Sequence, residues 1–466
     1  MESGTTATRV ERDSMGEVMV PADRYWGAQT QRSLEHFAIG DERMPIDVVH
    51  SLAHVKRAAA LVNGRLGSVP PEIAGAIVAA ADEVVAGMWD DHFPLSVWQT
   101  GSGTQTNMNV NEVVANRASE LLGGPLGVGR LVHPNDHVNR GQSSNDAFPT
   151  AMHLATSRAL RREVIPSLLA LRDAIESKRV AWADVVKLGR THLQDAMPVT
   201  VGQEWSGYVA QLDDALSDLA RADEGVLRLA IGGTAVGTGA MAPRGFGDAV
   251  VTELAASTGL PCAVAPNRFA AMSAMDDLVR VSAALRVTAG VLFKIANDVR
   301  WASSGPRGGL GELRLPANEP GSSIMPGKVN PTQAEALQMV CVQVIGNDTA
   351  VALAGAEGNF QLNVFRPVAI RNVLHSTRLV ADACTSFRTH LVEGAELDRT
   401  RIASALERSV MVVTALAPVI GYDRAAAIAH LAIDEDLTLR EAALRVGVDA
   451  DVFDATVAPG RLIGPG

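Results

Sequence analysis

"VSAALRVTAGVLFKIANDV", residues 281–299, decides the fold class of this chain. Val281, Leu285, Thr288, Leu292, Ile295 and Val299 step alternately by four and three. That spacing lays one apolar stripe along an α-helix, with a period near the seam of a helical bundle. Ala283, Ala284, Val287, Ala289, Gly290 and Val291 occupy the other faces. A helix apolar most of the way round is expected to be buried on several sides, which in a soluble protein suggests the core of an oligomer. Trp205, Val209, Leu212, Leu216 and Leu219 repeat the pattern, as do Val164, Leu168, Leu171 and Ile175. Repeated long helices predict antiparallel bundle packing rather than alternating strands and helices.

The 466 residues allow about three domains. Apolar residues at 47% and charged residues at 20% can fill a substantial core. A net charge of −11 argues against nucleic acid or an anionic membrane as partner. It leaves room for a small anionic substrate, because local donors outweigh a screened, diffuse field. Cys262, Cys341 and Cys384 form no C-x-x-C pair, which predicts neither a disulfide framework nor a thiolate metal site. The opening "MESGTTATRVERDSMGE" has no apolar signal region. Val281–Ile295, taken as the most apolar run, carries Arg286 and Lys294, and no run is expected to match a membrane span. The expectation is a soluble, cytoplasmic protein.

Several segments escape the helical pattern: "TGSGTQTNMNVNE" (100–112), "HPNDHVNRGQSSND" (133–146), "GRTHLQDAMP" (189–198) and "GSSIMPGKVNP" (321–331). Such polar, small-residue stretches are either linkers or functional elements. Thr100 or Asn145 would serve as helix N-caps. His133, Asp136 and His137 hint at a metal, but Pro134 is expected to break helical i,i+4 geometry, so no metal ligand is assigned. "GGTAVGTG" (232–239) has dinucleotide-loop glycines but follows a helix, so it fails the context test for a nucleotide site. The expected boundaries give an N-terminal mixed domain over 1–141, a long-helix bundle over 142–360 and a small helical domain over 361–466.

Together the segments offer hydroxyls, carboxamides and backbone amides, with Lys328, His192 and Glu335 among them. That inventory suits a multiply hydrogen-bonded carboxylate substrate and a proton transfer that needs no cofactor. Donors would face the oxyanion that grows as a proton leaves the carbon beside a carboxylate.

"GSSIMPGKVNP" resembles the signature of the fumarase/aspartase superfamily. With "GRTHLQDA", "QSSND", "GGTAVGTG" and "EGNFQLNVFRP" (357–367), nearly the whole chain is similar to class II fumarate hydratases. The resemblance implies a mainly α, three-domain fold assembled as a homotetramer around a shared helix bundle. It implies hydration of fumarate to L-malate without metal or organic cofactor, at sites shared between subunits. Ser322 is then the general base, with His192 and Glu335 the acid and water-positioning pair. The substrate-binding residues it implies are Ser102, Gly103, Thr104, Ser143, Ser144, Asn145, Thr191, Ser323, Lys328, Val329 and Asn330. His133, Pro134, Asn135 and Asp136 match a secondary dicarboxylate site. Gly141 departs from the Ser that many members carry, and His137 is closer to the aspartase pattern. Aspartate ammonia-lyase is the same-superfamily alternative, and a non-catalytic protein on this fold is the third.

Overall fold

The periodic stretch lies inside a single helix in the computed structural model, which describes residues 7–321 and 324–464. In chain order the elements are β1 (Thr8–Asp13), β2 (Gly16–Pro21), α1 (Ala28–His36), α2 (Ile46–Arg65), α3 (Pro71–Val85), α4 (Thr104–Leu121), α5 (Ser144–Ala159) and α6 (Ile165–Ala181). They continue with β3 (Val186–Thr191), β4 (Gln194–Thr200), α7 (Val201–Val226), α8 (Phe246–Thr258), α9 (Arg268–Ser273), α10 (Asp276–Ala302), α11 (Thr332–Ala356) and α12 (Arg366–Phe387). Short helices follow. Among the described residues every sheet has two strands, so the fold is mainly α.

The predicted stripes are the buried ones. Val281, Leu285, Thr288, Leu292, Ile295 and Val299 of α10 are all buried, while Val287 and Phe293 on the same helix are exposed. In α6, Leu168, Leu171 and Ile175 are buried. On α7, Trp205, Val209, Leu212 and Leu219 are buried and Leu216 is half-buried.

Two compact units divide the chain. The first takes Met1–Pro166, Ser217–Val287 and Val342–Val380. Its β1–β2 hairpin pairs Thr8 with Pro21, and α2 through α5 pack around Val48, Leu52, Val55, Ala59 and Val62, the four-three stripe of α2. The second takes Ser167–Leu216, Thr288–Cys341 and Ala381–Gly466. There the antiparallel β3–β4 hairpin joins helices that pack Trp182 edge-on against Trp205. The last helices close a small core of Leu416, Ile428, Leu439, Ala442 and Phe453.

Three sequence expectations need correction. Residues from Thr104 in "TGSGTQTNMNVNE" are helix, with Asn107, Asn109, Asn111 and Asn116 buried on α4. Polar residues hide helical periodicity when the face they line is itself polar. "GRTHLQDAMP" is a hairpin rather than a loop: Thr191 pairs with Gln194 across His192 and Leu193. Contrary to the expectation that no run matches a membrane span, α11 is long and apolar enough by composition to cross one. Three of its polar residues point inward: Gln338, Asn347 and Asp348 are buried, whereas Met339, Val342 and Leu353 are 68%, 61% and 68% exposed. The inner face is held by polar pairs, Ser282 Oγ donating to Asp348 at 2.7 Å and Asn347 Nδ2 donating to Ser376 Oγ at 3.0 Å.

Candidate active site

In the first unit, two helix starts are brought together by close packing. Gly103 caps α4 with φ 78°, and a Cβ there would lie 2.5 Å from the buried ring of Phe148 on α5. Only glycine lets the α4 start approach α5 this closely. Gly101 is as constrained, since its Cβ would sit 1.3 Å from the Val364 carbonyl oxygen. The Arg366 amide donates to the Gly101 carbonyl at 3.1 Å, so "EGNFQLNVFRP" is laid directly on "TGSGT".

This packing collects six of the implied substrate-binding residues: Ser102, Gly103, Thr104, Ser143, Ser144 and Asn145. Ser102 Oγ and Thr104 Oγ1 share a hydrogen bond of 2.7 Å. Ser143 is the N-cap of α5, and its Oγ accepts from the Asn145 amide at 3.2 Å. Asp146 completes the capping box by accepting from the Ser143 amide at 2.9 Å. Ser144 Oγ accepts from Asn107 Nδ2 of α4 at 3.0 Å. Asn145 Nδ2 donates to the Ala235 carbonyl at 2.9 Å. Both helix starts carry the positive end of a helix dipole, which favours an anion, although Ser143 and Gln99 each take one of their amides.

Asp146, Arg366 and Lys56 carry this arrangement, and the sequence reading assigned none of them a role. Asp146 is buried, and its Oδ2 accepts from the Gly232 and Thr234 amides at 3.0 and 2.8 Å. "GGTAVGTG" is therefore a loop wrapped round a carboxylate, not a phosphate cradle. Burial pushes the Asp146 carboxyl up to about 6 against the pull of its backbone donors and Lys56. Arg366 is fully buried, donates to the Asn145 carbonyl at 3.0 Å and also bonds the Met272 carbonyl. Its guanidinium is pulled down to about 10 by burial, opposed by Asp146. Lys56 stands out in the sequence only as a charge inside an apolar helical run, "HVKRAAALV". A charge on a buried face is the signal that could have found it.

The second unit holds the titratable candidates. His192 and Leu193 form the two-residue turn between β3 and β4, with φ of 54° and 60°. Two successive left-handed residues are the geometry that matches hairpin twist, usually reserved for Asn-Gly. His192 and Thr191 are exposed at its tip. The hairpin base is tied by ions: Lys187 Nζ lies 2.8 Å from Glu204 and 2.9 Å from Glu312, and Arg190 lies 2.7 Å from Glu312.

In "GSSIMPGKVNP", Ser322 and Ser323 lie outside the described residues. Among the described residues, Asn330 Nδ2 donates to the Gly321 carbonyl at 2.7 Å. Lys328 and Val329 are exposed. Glu335 sits in the first turn of α11, 3.9 Å from Arg300. Among the described residues no hydrogen bond or ion pair joins His192 to Glu335.

The residues 133–136 form a separate feature of the first unit. Pro134 opens a π-helical turn, Pro134–Val138, rather than breaking helical geometry. A proline is tolerated at that first position because its missing N–H has no helical partner to lose. His133 Nδ1 accepts from the Asn135 and Asp136 amides at 3.3 and 3.1 Å, and the His133 amide donates to His137 Nδ1 at 2.9 Å. A cavity of about 470 Å³ beside it is lined by Arg12, Arg130, His133, Pro134 and Asn135 among others. Gly141, the family departure, has φ 73° and lies against Phe246.

Two family models match the chain, one described as lyase over residues 16–346 and one as fumarase C C-terminus over residues 412–464. A class II fumarate hydratase of Methanosarcina acetivorans is 58% identical over 463 residues, covering 99% of this chain and 96% of that protein. One from Thermosynechococcus vestitus is 59% identical over 461 residues and 99% of each. Among solved structures, the class II fumarase from Schistosoma mansoni matches with TM-score 0.95 and 44% identity, over 98% of this chain and 99% of that one. A fumarate lyase:delta crystallin from Brucella melitensis bound to cobalt matches with TM-score 0.95 and 42% identity, over 98% and 100%.

Proposed function

Because the chain belongs to the class II fumarate hydratase family, we propose that it adds water reversibly and in trans across fumarate to give L-malate. The observation that carries this reading is the convergence of the α4 and α5 starts. Ser102, Thr104, Ser143, Ser144 and Asn145 there place hydroxyls and a carboxamide beside helix N-termini, a setting that suits a carboxylate. Thr191, Ser323, Lys328, Val329 and Asn330 supply the remaining substrate contacts. Ser322 takes the proton from carbon 3 of malate, and His192 with Glu335 handles the hydroxyl. A serine is a poor base unless its surroundings activate it, and the loop amides and Lys328 are the groups suited to stabilise its alkoxide. His133, Pro134, Asn135 and Asp136 form the secondary dicarboxylate site. The enzyme acts in the cytoplasm, is built of three domains and requires no cofactor.

The same reading includes a homotetramer with sites shared between subunits. Its support is the outward face of α11, where Met339, Val342 and Leu353 lie exposed. Apolar side chains exposed along one helix face suit a protein partner.

The test is consumption of fumarate, followed by its ultraviolet absorbance in buffer alone. Ammonia released from aspartate instead would turn the assignment to the ammonia-lyase branch. Ser322→Ala should lower kcat by about 10²–10⁴ with the fold intact by circular dichroism, the usual loss for a missing general base. A variant that keeps more than half the parent kcat removes Ser322 from the base role.

A further inference from the structure

Lys56 has no place in the proposed chemistry, yet it is completely buried one step behind the serine segment. From α2 its Nζ donates to Asn139 Oδ1 at 3.0 Å and to Gln142 Oε1 at 2.9 Å. Asn139 Oδ1 also accepts from Asn107 Nδ2 at 3.3 Å, and Asn107 Nδ2 donates on to Ser144 Oγ at 3.0 Å. Gln142 Nε2 is turned the other way, to the Val138 carbonyl at 3.0 Å.

The direction of this relay is set at Asn139, whose Oδ1 faces the Lys56 ammonium while its Nδ2 donates to the Gln142 carbonyl at 3.3 Å. An ammonium has donors and no acceptor, so the Asn139 carboxamide must show it oxygen. With that oxygen facing inward, Asn107 must approach it with nitrogen rather than oxygen. Ser144 Oγ then receives a hydrogen bond from inside the protein, and its own O–H is free to be donated to an incoming anion. A neutral amine has a lone pair and no longer enforces that order.

We propose that Lys56 is a positioning residue for substrate binding: its ammonium polarises the Asn139–Asn107–Ser144 relay so that the Ser144 hydroxyl is presented as a donor to a substrate carboxylate. The proposal rests on the reading above that Ser144 binds such a carboxylate. The geometry also makes binding sensitive to pH. Burial holds Lys56 down at about 7, opposed by the Asp146 carboxylate of α5. The groups facing it from α4 and from residues 139–142 are neutral carboxamides, and no charged group of α3 or α8 acts on it.

Titration calorimetry with succinate, a dicarboxylate that cannot be hydrated, reads the effect apart from turnover. It is applied to the wild type, Lys56→Met, Ser144→Ala and the double variant. Lys56→Met should weaken succinate binding by at least about tenfold in the wild-type background and by less than about twofold beside Ser144→Ala, as expected for one charge-assisted relay. Binding to the wild type should weaken as pH rises above about 7, and this limb should vanish in Lys56→Met. Equal losses in both backgrounds, or an unchanged affinity and pH profile, overturn the proposal. If Lys56→Met does not fold, the pH series on the wild type and Ser144→Ala decides: a limb lost in Ser144→Ala supports the relay, and the same limb in both overturns it. A wild type that binds succinate but leaves fumarate untouched defeats the reaction proposed above while the Lys56 coupling is still measured.

Discussion

Lys56 in the first unit and Lys187 in the second are both buried, 0% and 6% exposed, yet they are held in opposite ways. Lys56 meets only carboxamide oxygens, and burial brings its ammonium down to about 7. Lys187 is drawn down by burial too, but Glu204 and Glu312 overcome that and leave it above its ordinary value. Burial alone does not decide charge; the partners do. A lysine between carboxylates is a fixed tie at the base of a hairpin. One among carboxamides keeps its charge only conditionally, and conditional charge can be coupled to ligand binding.

The sharpest way to break this contrast is Lys187→Met. Glu312 would be left buried with Arg190 alone, and removing one partner of a buried ion pair costs about 3–5 kcal/mol. Denaturant unfolding should show a loss of that order, and a cost below about 1 kcal/mol would mean that the cluster is effectively solvated.

The second test separates the two lysines by pH. For Lys56, held below its ordinary 10.5 at about 7, the unfolded chain binds a proton between those values that the native state lacks. Its contribution therefore makes native stability rise with pH across that window, by up to about 1.4 kcal/mol per unit. Lys187 is held above 10.5, so its contribution is complete below that value and is lost only beyond it. Lys56→Met should flatten the stability slope between about pH 7 and 10, while Lys187→Met should lower the curve without changing that slope. Matching slopes in all three proteins would remove the distinction.

The smallest effect concerns the hairpin above Lys187. Leu193 is 60% exposed and holds φ 60°, a conformation that strains a residue with a Cβ. Leu193→Gly should raise stability by up to about 1 kcal/mol, read as a higher unfolding midpoint. A lower midpoint would show that the ions at the hairpin base do not set the turn.

The helices were legible because their apolar positions repeat. Val281 to Val299 could be assigned to a buried face from spacing alone, and that face is buried. The α4 helix was not legible, because Asn107, Asn109 and Asn111 break apolar periodicity while being buried themselves. The β3–β4 hairpin was hidden because His192–Leu193 lacks the Asn-Gly residues that announce such a turn. The turn persists through the strands and ion cluster beneath it.

Of the candidate site, the donors Ser102, Thr104, Ser143, Ser144 and Asn145 were visible as motif residues, since family motifs are contiguous in the chain. Their supports were not visible. Lys56, Asn139, Asn107 and Arg366 come from four separate segments, and apart from the charge of Lys56 in an apolar run nothing in the chain links them. Sequence by itself determined the helical class, the donor inventory and the family, because periodicity and motif are local properties of a chain. Tertiary structure alone decided which distant groups meet each serine oxygen, and which buried lysine keeps its charge. Those outcomes depend on which groups meet when distant segments exclude water together, and a hydrogen-bond relay has a direction only once every partner is in place.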